Sequence, residues 1–199
     1  MMPRTIGLRE RKRLASMRHV QCVALGLFHR LGYEAVTIEK IAAEAEVGAA
    51  SIFRYFGTKD RIVIWDEADE GQVARLLSEL AVGPLAASLE RFATSFDAAD
   101  TETRKNTLSR MSLIAREPTL AAQAALNGAR FGALIADALA ARARQRSPAF
   151  AQRAAGRAAA ELMSAAITEW SRRGGRVKLA RLVAEAVEAV QAELNTGRA

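Results

Sequence analysis

Arg54 stands in the stretch VGAASIFRYFGTKD, Val47 to Asp60, with Phe53 before it and Tyr55 and Phe56 after it. A guanidinium offers a fork of N–H donors that can bridge O6 and N7 of a guanine or clamp a phosphate, and both roles fit this position. Thr37 adds a hydroxyl at the start of a helical pattern, where free backbone N–H groups also favour a phosphate. Three of the eleven Phe, Trp and Tyr residues fall within positions 53 to 56, so the segment must divide its side chains between a core and a contact surface. Ile52 and Phe56, four apart, share one helix face and are assigned to the core with Ile41, Leu27 and Phe28.

This chemistry suits recognition rather than turnover. His19 and His29 both lie in the first helical pattern; His19 and Cys22 share a face, yet two ligands on one helix do not complete a zinc site. No G-x-S-x-G, P-loop or paired-carboxylate motif is present. The reading is a protein that is not an enzyme, with no catalytic residue, cofactor or metal.

Charge separates the chain into two parts. Residues 1 to 61 hold 11 Lys and Arg against 6 Asp and Glu, a surplus of five, whereas the remainder of the +7 total is spread over 138 residues. A basic first third facing a nearly neutral remainder suits a polyanionic partner. A single cysteine, Cys22, gives no disulfide framework and fits a cytoplasmic setting. No apolar run is long enough to cross a bilayer, so no membrane association is expected.

The elements that must hold these residues are helices nearly throughout: alanine dominates and period-two runs are scarce. Val20, Val23, Ala24, Leu27, Phe28 and Leu31 follow the i, i+3, i+4, i+7 rule, and Gly32 ends that helix. LRERKR before it lacks an apolar stripe and extends it as a basic arm, Arg4, Arg9, Arg11, Lys12 and Arg13 being the cations. Thr37 caps a second helix with Ile38, Ile41, Ala42 and Ala45 on one face. After Gly48, AASIFRYF is long enough for two turns before Gly57. Two short helices joined by a tight turn and packed on a longer one make a helix-turn-helix domain.

Thr58 then caps a long helix, 58–82, that links this head to the body. Pro84, Pro118 and Pro148 open further helices, Thr101 caps another, and Gly174-Gly175 precedes the last, in which Leu179, Leu182, Val183, Ala186, Val190 and Leu194 form one stripe. About nine helices are expected, with a head at 1–57 and a body at 58–199.

RLGYEAVTIEKIAAEAEVGAASIFRYFGTKD resembles the DNA-binding domain of TetR-family transcriptional regulators. The likeness lies in the LF-x-x-x-G end of the first helix, the Thr opening the second, the I-A-x-x-A core and the F-x-Y-F-x-x-K close, over roughly residues 8 to 65. GLRERKR, FRYFGTKD and VIWDEAD together look like the branch of mycofactocin-type regulators that respond to acyl-CoA-like ligands, although that branch commonly has Pro-Ser where Gly57-Thr58 stand.

The resemblance implies an all-α fold with a helix-turn-helix head and a C-terminal ligand-binding and dimerisation body. Gly48, Ala49, Ala50, Ser51 and Arg54 would then face bases. Tyr55 and Lys59 would join Thr37 on phosphates, and Phe53, where the family often has Tyr, would make only van der Waals contact with the backbone. It further implies a homodimer through the last two helices, about 148–173 and 177–194, bound to a palindromic double-stranded DNA operator as a ligand-released repressor. Phe92, Phe96, Met111, Phe131, Met163 and Trp170 are candidates to line an apolar pocket for a small apolar or amphipathic, acyl-CoA-like effector, with Asn127 or Arg130 as polar contacts. The competing readings are an activator or global regulator without a ligand, and a helical adaptor or sequence-independent nucleic-acid binder with a degenerate head.

Overall fold

The computed structural model describes residues 7–65 and 69–195, and among them it contains ten helices and no strand. Arg4 of the expected arm therefore lies outside the described residues. The helices are α1 Leu8–Leu31, α2 Ile38–Glu44, α3 Ala49–Phe56, α4 Lys59–Ile64, α5 Asp69–Leu80, α6 Leu85–Asp97, α7 Thr101–Arg116, α8 Pro118–Arg142, α9 Phe150–Arg172 and α10 Leu179–Asn195. They fall into two compact units: α1 to α4 with Ser112–Gln123, and the remaining described helices. The head thus takes in α4 and the α7–α8 junction, which the expected boundary at residue 57 had given to the body.

In the head, α1 packs against α2, α3 and α4 around Val20, Ala24, Leu27, Phe28, Ile41, Ile52, Phe56 and Ile62. Leu113 and Leu120 complete that core. The stripe expected on α1 is displaced at its end: Leu31 is 47% exposed, and Met17, Gln21 and Leu25 are buried instead. Ahead of Met17 no residue of α1 is buried, so the basic arm is a solvated helical extension.

The single helix expected over 58–82 is two helices, which raises the expected nine to ten. Neither Gly nor Pro marks the break. Gln21, 2% exposed within the head, donates Nε2 to the carbonyl of Ile62 and to that of Trp65, both at 2.7 Å. Carbonyls that a continuing helix would use for its own next turn are taken by a side chain. Trp65 turns to an extended conformation and sets its ring edge-on to Phe56, with centroids 5.8 Å apart.

In the body, α10 lies against α6 and α9, and α5 against α6, around Leu76, Leu80, Leu89, Ile135, Met163, Trp170, Leu182 and Val183. Asp97 at the end of α6 accepts the N–H groups of Leu179 and Ala180 at 2.7 and 3.1 Å, so it caps α10 from 82 residues away. Pro84 and Pro118 open α6 and α8 as expected. The cap expected from Thr101 is made by Asp100, whose carboxylate takes the N–H of Thr103 at 2.8 Å and its hydroxyl at 3.1 Å. These hydrogen bonds hold the Asp100 carboxyl below its ordinary range. α8 and α9 cross in backbone contact at Gly132 and Gly156, both buried and without a side chain to hold them apart.

Candidate nucleic-acid interface

The helix-turn-helix is built by caps and one strained turn. Thr37 accepts the N–H of Lys40 through its hydroxyl at 3.3 Å, which fixes the start of α2. Between α2 and α3 the chain reverses through Glu46, whose φ of 53° is left-handed, while Gly48 is extended and serves as the N-cap of α3. The tight turn thus falls on Glu46 and not on the glycine. Gly57, with φ 77°, ends α3 and donates its N–H to Phe53, and Thr58 then caps α4.

This frame splits α3 as the spacing required. Ile52 and Phe56 are 0% and 3% exposed and anchor the helix. Gly48, Ala50, Phe53 and Arg54 are exposed, and Ala49, Ser51 and Tyr55 are half-buried. Phe53 keeps 50% of its surface open.

Arg54 does not stand away from the helix. Its Nη2 donates to Ser51 Oγ at 3.2 Å and to the Tyr55 hydroxyl at 3.5 Å, and its Cζ lies 5.0 Å from the centre of the Tyr55 ring. Arg54 and Tyr55 join Gly7, Arg9, Glu10, Lys12 and Arg13 in lining an open groove of about 890 Å³. Glu10 partly offsets its positive field: Arg13 donates to it at 2.7 Å, and that contact keeps the Glu10 carboxyl below its ordinary range. Four cations against one carboxylate leave the lining of the groove positive. Arg11, on the same exposed extension, is also open to solvent.

Lys59 has a further role that its spacing did not show. Its Nζ donates to the carbonyl of Tyr33 at 2.9 Å and lies 4.1 Å from the centre of that ring, while the Tyr33 hydroxyl donates to Asp60. Burial first, and the Asp60 carboxylate second, push the Tyr33 phenol well above its ordinary range. This clasp ties the start of α4 to the α1–α2 turn. Tyr33 is 3% exposed and packs on Phe28, with centroids 5.0 Å apart. Its neighbourhood could have been suspected only from a Tyr directly after a helix-ending Gly.

Among the residues expected to meet an effector, Phe92 lies 5.9 Å, centre to centre, from both Phe96 and Phe131. Met163 and Trp170 are buried at 3% and 5% exposure, Met111 and Asn127 are half-buried, and Arg130 is exposed. Trp170 Nε1 is a buried donor without a hydrogen-bond partner. His19 sets Nε2 3.2 Å from the carbonyl of Ala45, and Cys22 is exposed. Among the described residues no group of three or more His, Cys, Asp or Glu could hold a metal, and no helix is long and apolar enough to cross a membrane.

The comparisons agree with this architecture. Residues 23–64 match the profile described as "Bacterial regulatory proteins, tetR family", and residues 83–195 match that of the "MftR C-terminal domain". No curated relative matches the chain. Among solved structures, Thermus thermophilus FadR, a TetR-family transcriptional repressor in complex with lauroyl-CoA, is 20% identical with a TM-score of 0.56, over 86% of this chain and 91% of that one. A TetR-family regulator from Streptomyces coelicolor is 18% identical (TM-score 0.51, 91% and 83% covered). Another from Mesorhizobium loti is 20% identical (TM-score 0.51, 90% and 96% covered). At such identities the structures bear on the fold, while the two profiles reach both head and body. The chain belongs to the TetR family of bacterial regulatory proteins, as a DNA-binding transcriptional regulator with a C-terminal domain of the MftR type.

Proposed function

We propose that the chain is a homodimeric repressor that binds a palindromic operator and leaves it when an acyl-CoA-like molecule occupies the body. The observation that carries this reading is the match of the MftR C-terminal profile to residues 83–195, joined to a helix-turn-helix head. The lauroyl-CoA held by Thermus thermophilus FadR supports the ligand class. Exposed apolar side chains on the last two helices, Phe150 at 78%, Val190 at 49% and Leu194 at 73%, support a partner on α9 and α10.

Within the head, Gly48 to Ser51 face bases, Thr37, Tyr55, Lys59 and the arm cations hold phosphates, and Arg54 serves as a base reader or a phosphate clamp. In the body the Phe92, Phe96 and Phe131 cluster suits an acyl chain, and the unpaired Trp170 N–H suits a ligand oxygen. Release is a population shift, and it requires the ligand to prefer one spacing of the two heads.

Footprinting of the DNA beside the gene, followed by operator affinity with and without lauroyl-CoA, tests the proposal. A protected palindrome whose affinity falls as lauroyl-CoA saturates the protein is expected. Saturation without any change in affinity refutes the release mechanism, and uniform weak protection refutes the operator.

A further inference from the structure

The outward face of α3 has two halves of opposite chemistry. Ile52 and Phe56 fix which side is buried, and at 100° per residue Ala50 and Arg54 stand opposite them. On one flank Ser51 and Tyr55 hold the Arg54 guanidinium back into the groove that it shares with Arg9, Lys12 and Arg13. Four cations clustered against the single carboxylate of Glu10 suit a phosphate, which carries no sequence information. On the other flank Ala49, Ala50 and Phe53 present hydrocarbon only, and Phe53, three residues after Ala50, leaves half of its surface open.

In the major groove hydrocarbon has one base feature to recognise, the C5-methyl of thymine; the other edges need a donor or an acceptor. Hence the half of α3 free to discriminate bases by shape is the apolar half. We propose that Phe53 and Ala50 read thymine methyl groups and that Arg54 acts with the arm as a phosphate clamp. Phe53 is thereby a specificity-determining residue and not a backbone contact. The inference rests on the reading of the chain as a sequence-specific DNA binder.

The test uses the full chain and a duplex selected by it from a random pool, with affinity measured by fluorescence anisotropy. Each thymine of the half-site is replaced in turn by deoxyuridine, which removes one methyl and nothing else. At the position under Phe53 the wild type should lose about fourfold per half-site, the worth of one buried methyl group. Phe53→Ala should bind the thymine and deoxyuridine duplexes alike, with its salt dependence unchanged. Because that side chain is half exposed, a melting temperature equal to wild type checks the fold. Arg54→Ala should keep the thymine preference and lower the salt slope by about one.

Equal wild-type affinity for every deoxyuridine duplex overturns the proposal. So does a thymine preference at the position under Phe53 that survives in Phe53→Ala, or a loss in Arg54→Ala confined to one base position. A pool that yields no enriched duplex overturns sequence-specific reading and this inference with it.

Discussion

Replacing Gly156 by Ala tests the close backbone approach of α9 to α8. An ideal Cβ at 156 would lie 2.2 Å from the carbonyl oxygen of Gly132, 3.0 Å from the Ala136 N and 3.1 Å from its Cβ. Two of these neighbours are backbone, so no rotamer change relieves the clash, and α9 must move from α8 by roughly 1 Å to restore ordinary contact. Overpacking of this kind costs about 1–3 kcal/mol or somewhat more, against which Ala regains nearly 1 kcal/mol of helix propensity over Gly. A net loss of about 2 kcal/mol is expected, which for a chain of this size lowers Tm by roughly 4–8 °C. Gly132→Ala, whose Cβ would meet the Gly156 carbonyl oxygen at 2.9 Å, should cost less. Gly128, on the same helix α8 with nothing within 4 Å of its Cβ, provides the control: Gly128→Ala should raise Tm by about 2–4 °C. Circular dichroism melts of the three variants decide. If Gly156→Ala melts at or above the wild type, or moves with Gly128→Ala, the backbone crossing does not hold α8 to α9.

Gln21→Met keeps the approximate volume of the side chain but abandons the carbonyls of Ile62 and Trp65 inside the head; a loss of about 2 kcal/mol in urea unfolding is expected, and a neutral result would mean that α4 ends for another reason. The Tyr33 phenol is held neutral by burial and by Asp60, whereas in the unfolded chain it ionises in the ordinary tyrosine range near pH 10. Its folded value is the higher one, so its contribution is complete below about pH 10 and is lost as pH rises beyond that. Alkaline melts should therefore fall less steeply for Tyr33→Phe than for wild type, and parallel curves would exclude Tyr33 as the source. Glu46→Gly relieves a left-handed L-residue in the helix-turn-helix turn and should stabilise the head by about 1 kcal/mol, while a drop in Tm would show that the turn is not strained there.

Much of the head was legible because its signals are local. Thr37 and Thr58 are N-caps, Gly32 and Gly57 end helices, and the spacing of Ile52 and Phe56 reports one buried face. Pro84 and Pro118 mark helix starts in the body for the same reason. What stayed hidden depends on residues far apart in the chain: Gln21 breaks a helix 41 residues on, and Asp97 caps one 82 residues on. Val190 and Leu194 continue the apolar stripe of α10 but lie exposed; a sequence period reports an apolar face and not what covers it.

Lys59 shows how a family resemblance and a structure divide the work. The F-x-Y-F-x-x-K pattern transfers a cation to the start of α4, and with it the expectation of a phosphate contact. The pattern leaves out that Nζ donates to the Tyr33 carbonyl and rests on the Tyr33 ring. An ammonium has three N–H groups, so one bond to Tyr33 leaves donors for a phosphate and fixes the stem that presents them. The charge is then aimed by the α1–α2 turn rather than by its own flexible chain, which on the proposed phosphate role lowers the side-chain entropy lost on binding. Arg in place of Lys59 would keep the charge but change the head that meets the Tyr33 carbonyl and ring, so the proposed phosphate contact calls for more than charge alone.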